Sequence, residues 1–273
     1  MQTDILNEGK LSTVKFAQDP TINYGYPYFG GTGLVTNDTS ADYMAVKTGD
    51  GTANNPFEIP SAGKWVQLTN AGNNPAYVTT GTTQYHMYSW NSYYELIYDI
   101  DFTAAGITSV TPIGSEQKDN SSADSAHNYF IGNFDGNNKT ISNATIRNAS
   151  NSNEIGLGLF GYTGNRTTTF NTVYIQNVIL KNSKVSTFDS SDNVDTATSS
   201  GGIVGIARNT TIINCHVVNS DIEGFTNAGG ILGLAQAGDV LIQQSSSQNS
   251  TIRSIGNRNY TNGSETDYVD VTA

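Results

Sequence analysis

A glycine–apolar–apolar–glycine tetrad recurs three times in the second half of the chain and constrains the fold more than any other feature. The copies are Gly158-Leu159-Phe160-Gly161, Gly202-Ile203-Val204-Gly205 and Gly230-Ile231-Leu232-Gly233, stepping by 44 and then 28 residues (161 to 205 to 233). A second pattern accompanies it: apolar, Asn or Gln, apolar, a small polar pair, then another apolar residue. It runs Ile175, Asn177, Leu180, Asn182, Ser183, Val185, and again Ile212, Asn214, Val217, Asn219, Ser220, Ile222. A weaker copy is Ile242, Gln244, Ser247, Asn249, Ser250, Ile252, and an upstream one, Ile141, Asn143, Ile146, Asn148, follows Phe134-Asp135-Gly136. The strands then step by 34, 37 and 30 residues (141 to 175 to 212 to 242).

A repeat of about 30 residues built from short β segments and glycine turns predicts a solenoid. Each coil exposes an apolar edge and buries it only by stacking, one strand spacing of about 4.8 Å from its neighbour. Gly tolerates positive φ and close backbone approach, and Asn is the next best residue at such corners. The tetrads are expected inside strands, where they serve packing. Stacked Asn side chains can also hydrogen-bond along the axis, so a structural role is assigned to these asparagines.

Composition agrees. Of 273 residues only 14% are charged, with 24 acidic against 13 basic and a net charge of −11. That balance argues against nucleic acid and anionic membranes as partners. No apolar run is long enough to span a bilayer, and the start, Met-Gln-Thr-Asp-Ile, has no secretion-signal pattern. With 15 Tyr, 10 Phe and 2 Trp, the chain has core material that disordered polar chains lack. The one cysteine, Cys215, excludes an internal disulfide framework.

The expected fold is all-β, a right-handed parallel β-helix with an irregular Tyr-rich N-terminal segment. Its parts are residues 1–48, which could be the end of a preceding repeat block; 49–128, an entry region; and 129–273, the repeats. Ser61 is placed to cap a short helix through Trp65 and Leu68. Tyr93 to Thr103 reads as one strand entering the solenoid. Loops are expected at 116–128 and 186–200.

These residues resemble the GLUG-motif family, β-helical repeats of bacterial surface adhesins and of the non-catalytic parts of immunoglobulin-A-cleaving surface proteases. The tetrads match its naming motif. Asn54-Asn55-Pro56-Phe57-Glu58-Ile59 looks like its entry segment, and Tyr98-Asp99-Ile100-Asp101-Phe102 with Thr111-Pro112-Ile113-Gly114 like its middle. Phe134-Asp135-Gly136-Asn137-Asn138-Lys139-Thr140-Ile141 is similar to its most recognisable strand, and the likeness covers roughly residues 50–255. Ile22 to Tyr28 resembles a segment closing one block before the next, which implies a slice of a longer array. The resemblance implies adhesion at an extracellular bacterial surface and supplies no catalytic residue set.

Candidate chemistry is sparse. Asp99, Asp101 and Asp135 could form a glycosidase-like carboxylate pair, or they could hydrogen-bond turn backbones. Residues 50–52 and the loop carrying Asp189, Asp192 and Asp195 could bind Ca²⁺ weakly; no other cofactor is expected. His86, His127 and His216 are scattered, and Cys215 and His216 point to opposite faces of a strand. Tyr85, Tyr88, Trp90, Tyr93 and Tyr94 are either a binding surface, since aromatic faces stack on sugar rings, or a cap over the open end. The expectation is a non-enzymatic adhesion or display module for glycans or surface proteins. Its alternatives are a carbohydrate-active lyase or hydrolase, and a filament subunit associating end to end.

Overall fold

In-register columns of apolar side chains hold the chain together. The structure, a computed structural model, describes residues 16–17, 28–29, 51–73, 77–80, 83–86, 92–114, 129–147, 156–164, 172–186, 199–254 and 269–272. In chain order these give β1 (Phe57–Ile59), α1 (Ala62–Asn73), β2 (Tyr93–Leu96), β3 (Ile100–Asp101), β4 (Asn133–Ser142), β5 (Thr145–Arg147) and β6 (Gly156–Leu157). Then follow β7 (Phe160–Thr163), β8 (Val173–Lys181), β9 (Lys184–Ser186), β10 (Ser199–Gly201), β11 (Val204–Ile213) and β12 (His216–Val218). The last are β13 (Asp221–Gly224), β14 (Asn227–Gly229), β15 (Leu232–Gln243), β16 (Ser246–Gln248), β17 (Thr251–Ser254) and β18 (Val269–Thr272). Two further short antiparallel pairs join 16–17 to 28–29 and 77–80 to 83–86.

The protein is all-β with mainly parallel sheets. The largest has ten strands, ordered β7-β11-β8-β4-β2-β1, with β15, β12, β16 and β3 paired alongside. A second runs β18-β17-β13-β9-β5, with β18 antiparallel at its edge, and a third runs β6-β10-β14. The large sheet is continuous from the entry region into the repeats.

Each apolar position of the repeat meets its counterpart in the next. Phe134, Ile175, Ile212 and Ile242 form one column. Ile146, Val185, Ile222 and Ile252 form another. Phe160, Val204 and Leu232 form a third. Inner side chains such as Ile175, Leu180, Val185 and Ile212 are fully buried, each stabilising the fold by roughly 1.5–3 kcal/mol.

The first repeat sits in a different register from the one its spacing suggests. Ile141 pairs with Leu180, not Ile175, and Phe134 takes the Ile175 position. The cause is local: the pairing shifts between Gln176 and Val178, which face Asp135 and Lys139. The extra residues include Asn137 and Asn138, both at positive φ (49° and 57°), so a wider corner displaces the Ile-x-Asn signal downstream.

Glycine and asparagine divide the work at the corners. In each tetrad the first two residues form a bend and the last two open a strand, so the tetrads are not wholly inside strands. None of their glycines lies in the left-handed region. What they need is space: a Cβ on Gly158 would come within 2.7 Å of the Gly201 carbonyl oxygen. The left-handed corners belong to Asn177, Asn182, Asn214, Asn219 and Asn249, with φ of 49–56° across these positions and Asn143, and to Gln244 at 51°. The amides also stack, Asn214 Nδ2 donating to Asn177 Oδ1 at 2.8 Å.

The serine after each corner asparagine ties one repeat to the next. Ser183 N donates to Ser220 Oγ at 3.1 Å, and Ser220 N to Ser250 Oγ at 3.1 Å. Each hydroxyl in turn donates to the carbonyl two residues before it.

Helix α1 starts as its sequence requires. Ser61 Oγ accepts from Lys64 N at 3.2 Å, an N-cap. Trp65 and Leu68 are buried, and the indole meets Phe134 edge-on at 5.8 Å and Phe160 at 6.4 Å. The stretch from Tyr93 to Thr103 is two strands, β2 and β3, rather than one.

Candidate binding groove

Strands β2, β4 and β8 alternate inward and outward with period two. Tyr94, Phe134 and Ile175 point inward and are buried. The register Tyr93↔Asn133↔Tyr174 therefore makes an outward ladder, and Glu95↔Asp135↔Gln176 a second one beside it. Tyr93 is 39% exposed and Tyr174 44%. They stand two strands apart, roughly 9.6 Å, with Asn133 between them.

The two ladders floor a groove of about 720 Å³, with Ala53, Asn54 and Pro56 on one wall and Thr172 at the other. The wall turn is held by Gly51 N donating to Asn55 O at 3.0 Å, and Tyr93 N donates to Gly51 O at 2.9 Å. Among the described residues the groove's lining contains Glu95 and Asp135 and no Lys or Arg.

Asp135 is fully engaged in the fold. Its Oδ1 accepts from Asn137 N at 2.8 Å and Asn177 Nδ2 at 2.9 Å, and its Oδ2 from Gln176 Nε2 at 2.6 Å. It thereby clamps the widened corner at Gly136, where a Cβ would strike the Asn177 backbone. Asp99 Oδ1 accepts from Thr140 N at 2.7 Å, and Asp101 Oδ1 from Ala104 N at 3.0 Å. Burial disfavours the Asp101 charge, but hydrogen bonds from Ala104, Asn143, Thr103 and Ser142 outweigh it and hold the carboxyl below its ordinary value. All three accept hydrogen bonds from backbone amides, Asp99 from strand β4 and Asp101 and Asp135 from their own turns.

Cys215 is buried, its thiol pushed up to about 12 mainly by burial. Its Sγ donates to Ile213 O at 3.4 Å, as Ser245 Oγ does to Gln243 O one repeat later. The half-buried His216 bridges Ser246 Oγ at 2.9 Å and Asn214 Oδ1 at 3.0 Å.

The aromatic cluster does not act as one unit. Tyr93 faces out while Tyr94 is in the core, against Phe57 at 5.6 Å and Phe130 at 5.8 Å. Tyr85 lies on the 83–86 hairpin strand; its side chain, with Tyr88, Trp90 and His127, lies outside the described residues. So do Asp189, Asp192 and Asp195, Asp50, and most of the 116–128 and 186–200 loops. Among the described residues no group of three or more His, Cys, Asp or Glu is placed to hold a metal ion. None of their helices is long and apolar enough to cross a membrane.

Tyr174, Asn133, Gln176 and Glu95 escaped the sequence reading. The signal was present: Tyr93-Tyr94-Glu95, Asn133-Phe134-Asp135 and Tyr174-Ile175-Gln176 share an inner apolar residue flanked by polar or Tyr neighbours. It needed the corrected register to align.

No family model matches the chain, and no curated protein does. A solved structure described as a "putative immunoglobulin A1 protease" from Bacteroides ovatus is similar, with 18% identity and a TM-score of 0.41. The likeness covers 76% of this chain, which spans only 61% of that structure's length.

Proposed function

We propose that the chain is a non-enzymatic adhesion or display module of an extracellular bacterial surface protein, folded as a right-handed parallel β-helix. The succession of long and short strands in every repeat, each paired parallel with its counterpart, supports that fold. The observation that carries the function is the outward pair Tyr93 and Tyr174, mounted on a rigid sheet over a polar groove. Aromatic faces presented this way suit glycan or protein contacts. Asp135 is committed to corner hydrogen bonds, which suits recognition better than acid–base chemistry. Secretion and surface display fit an exterior of Asn, Ser and Thr with few charges.

The test is incubation of the purified chain with neutral and acidic polysaccharides, scoring retention and new reducing or unsaturated ends together. Retention without cleavage is expected. Cleavage abolished in a folded Asp101→Asn variant would make the chain an enzyme.

A second reading, a subunit stacking end to end, is favoured by one observation. The inner column ends at Ile242, which is 44% exposed, and β15 has no partner among the described residues on that edge. Light scattering that rises with concentration, and falls for Ile242→Lys, would support it.

A further inference from the structure

We infer that the groove between Tyr93 and Tyr174 binds a neutral, linear glycan lying across the strands, a reading that rests on the binding-module function and names its ligand. The spacing comes first. The two rings project from the same face two strands apart, about 9.6 Å, which lets them stack on alternate rings of an extended sugar chain. Among the described residues neither phenol hydroxyl has a hydrogen-bond partner, which leaves both to sugar hydroxyls.

The floor between the rings is polar and incompletely satisfied. Asn133 Oδ1 accepts from Tyr174 N at 3.1 Å, which leaves its amide NH2 as a donor. Glu95 Oε2 accepts from Asn137 Nδ2 at 2.9 Å, which leaves Oε1 as an acceptor. Gln176 gives its amide NH2 to Asp135 and keeps its carbonyl. The floor thus offers one amide donor, on Asn133, and two acceptors, on Glu95 and Gln176, to a polyhydroxylated chain.

Charge selects among glycans. The described lining holds two carboxylates and no Lys or Arg, so a uronate or sulfated chain would meet like charge there without compensation. Neutral hydroxyls can instead donate to Glu95. The floor is also preorganised, because Asp135 is fixed by three donors and the sheet fixes both tyrosines. Little ordering cost then opposes binding.

The experiment is calorimetric titration of the whole chain with cellohexaose, laminarihexaose and mannohexaose, with polygalacturonate and free glucose in parallel. At least one neutral hexasaccharide should bind, with glucose and polygalacturonate weaker by tenfold or more. Tyr93→Ala and Tyr174→Ala should each weaken binding about tenfold, and the double variant more. Tyr98→Ala, exposed but outside the groove lining, should leave it unchanged. All variants should keep the parent melting temperature, since the side chains removed are exposed.

Glycan binding that survives the double variant would overturn the groove assignment while leaving the module reading intact. A preference for polygalacturonate would overturn the neutral-ligand assignment. Cleavage of any hexasaccharide would overturn the module reading itself. Failure of all glycans with retention on immobilised surface proteins would overturn the glycan assignment but keep the module.

Discussion

The two ends of the repeat stack are built from the same residue types and are buried very differently. Toward the N-terminal end Phe134 is 1% exposed, with Trp65 of α1 pressed edge-on against it. At the far end Ile242, on the same column, is 44% exposed, and Leu241 beside it 46%. An apolar residue in a repeat contributes according to what stacks on it, not to its own hydrophobicity. Corner geometry behaves otherwise: Asn182 and Asn249 have φ of 49° and 50° although one is inside the stack and the other in the last repeat.

That contrast can be broken in four ways. The largest effect should come from Trp65→Ala, which removes a buried indole at a cost of about 3–5 kcal/mol. Ile242→Ala should cost about 1 kcal/mol or less. Denaturant unfolding of both variants compares them, and equal losses would mean that the far column is covered in solution.

Next come the serine ties. Ser220→Ala leaves the Ser183 amide without its acceptor at a buried site, a loss of about 1–3 kcal/mol. Ser250→Ala, in the half-buried last repeat, should lose visibly less in the same melts. If the two match, the ties are as dry at the edge as in the middle.

The corner asparagines sharpen the comparison from the other side. Asn182→Ala and Asn249→Ala should each cost about 1 kcal/mol, because left-handed strain is local. Gly at either position should restore most of it. A cost confined to Asn182 would show that stacking, not φ, selects asparagine there.

The smallest effect concerns Asp101, found only in the entry region. Its folded value lies below its ordinary one, so the unfolded chain takes up the proton first as pH falls. The stability it adds is full above the ordinary aspartate value of about 3.9. It disappears as pH falls through the lower folded value. Asp101→Asn should therefore lower the melting temperature slightly at pH 7 and flatten the acid limb of the profile, with the two proteins converging at the lowest pH.

Much of this was legible along the chain. Parallel all-β structure, the Ser61-capped helix carrying Trp65 and Leu68, and the asparagine corners each follow from short-range spacing and residue type. The first repeat misled for a definite reason. Ile141-x-Asn143 looks like Ile175-x-Asn177, yet it answers to the second half of that motif, Leu180-x-Asn182. Two similar Asn or Gln corners occur in every repeat, and only pairing distinguishes them. The groove was half legible: Tyr93 stood out as an aromatic, whereas Tyr174 looked like one more strand residue.

By itself, then, the sequence determined the repeating alternation, the corner chemistry and the low charge of this protein. These depend on what each residue does to its own backbone and nearest neighbours. The tertiary structure alone decided that Tyr93 faces out and Tyr94 in, that Tyr93 and Tyr174 share a ladder, and that Ile242 is exposed while Ile212 is buried. For the tyrosines the physical reason is that side-chain direction reverses with each single-residue shift of register; for Ile242 it is that no described strand stacks beyond it. Register is set by parallel pairing between segments some forty residues apart, 41 for Asp135 and Gln176, across corners whose widths differ.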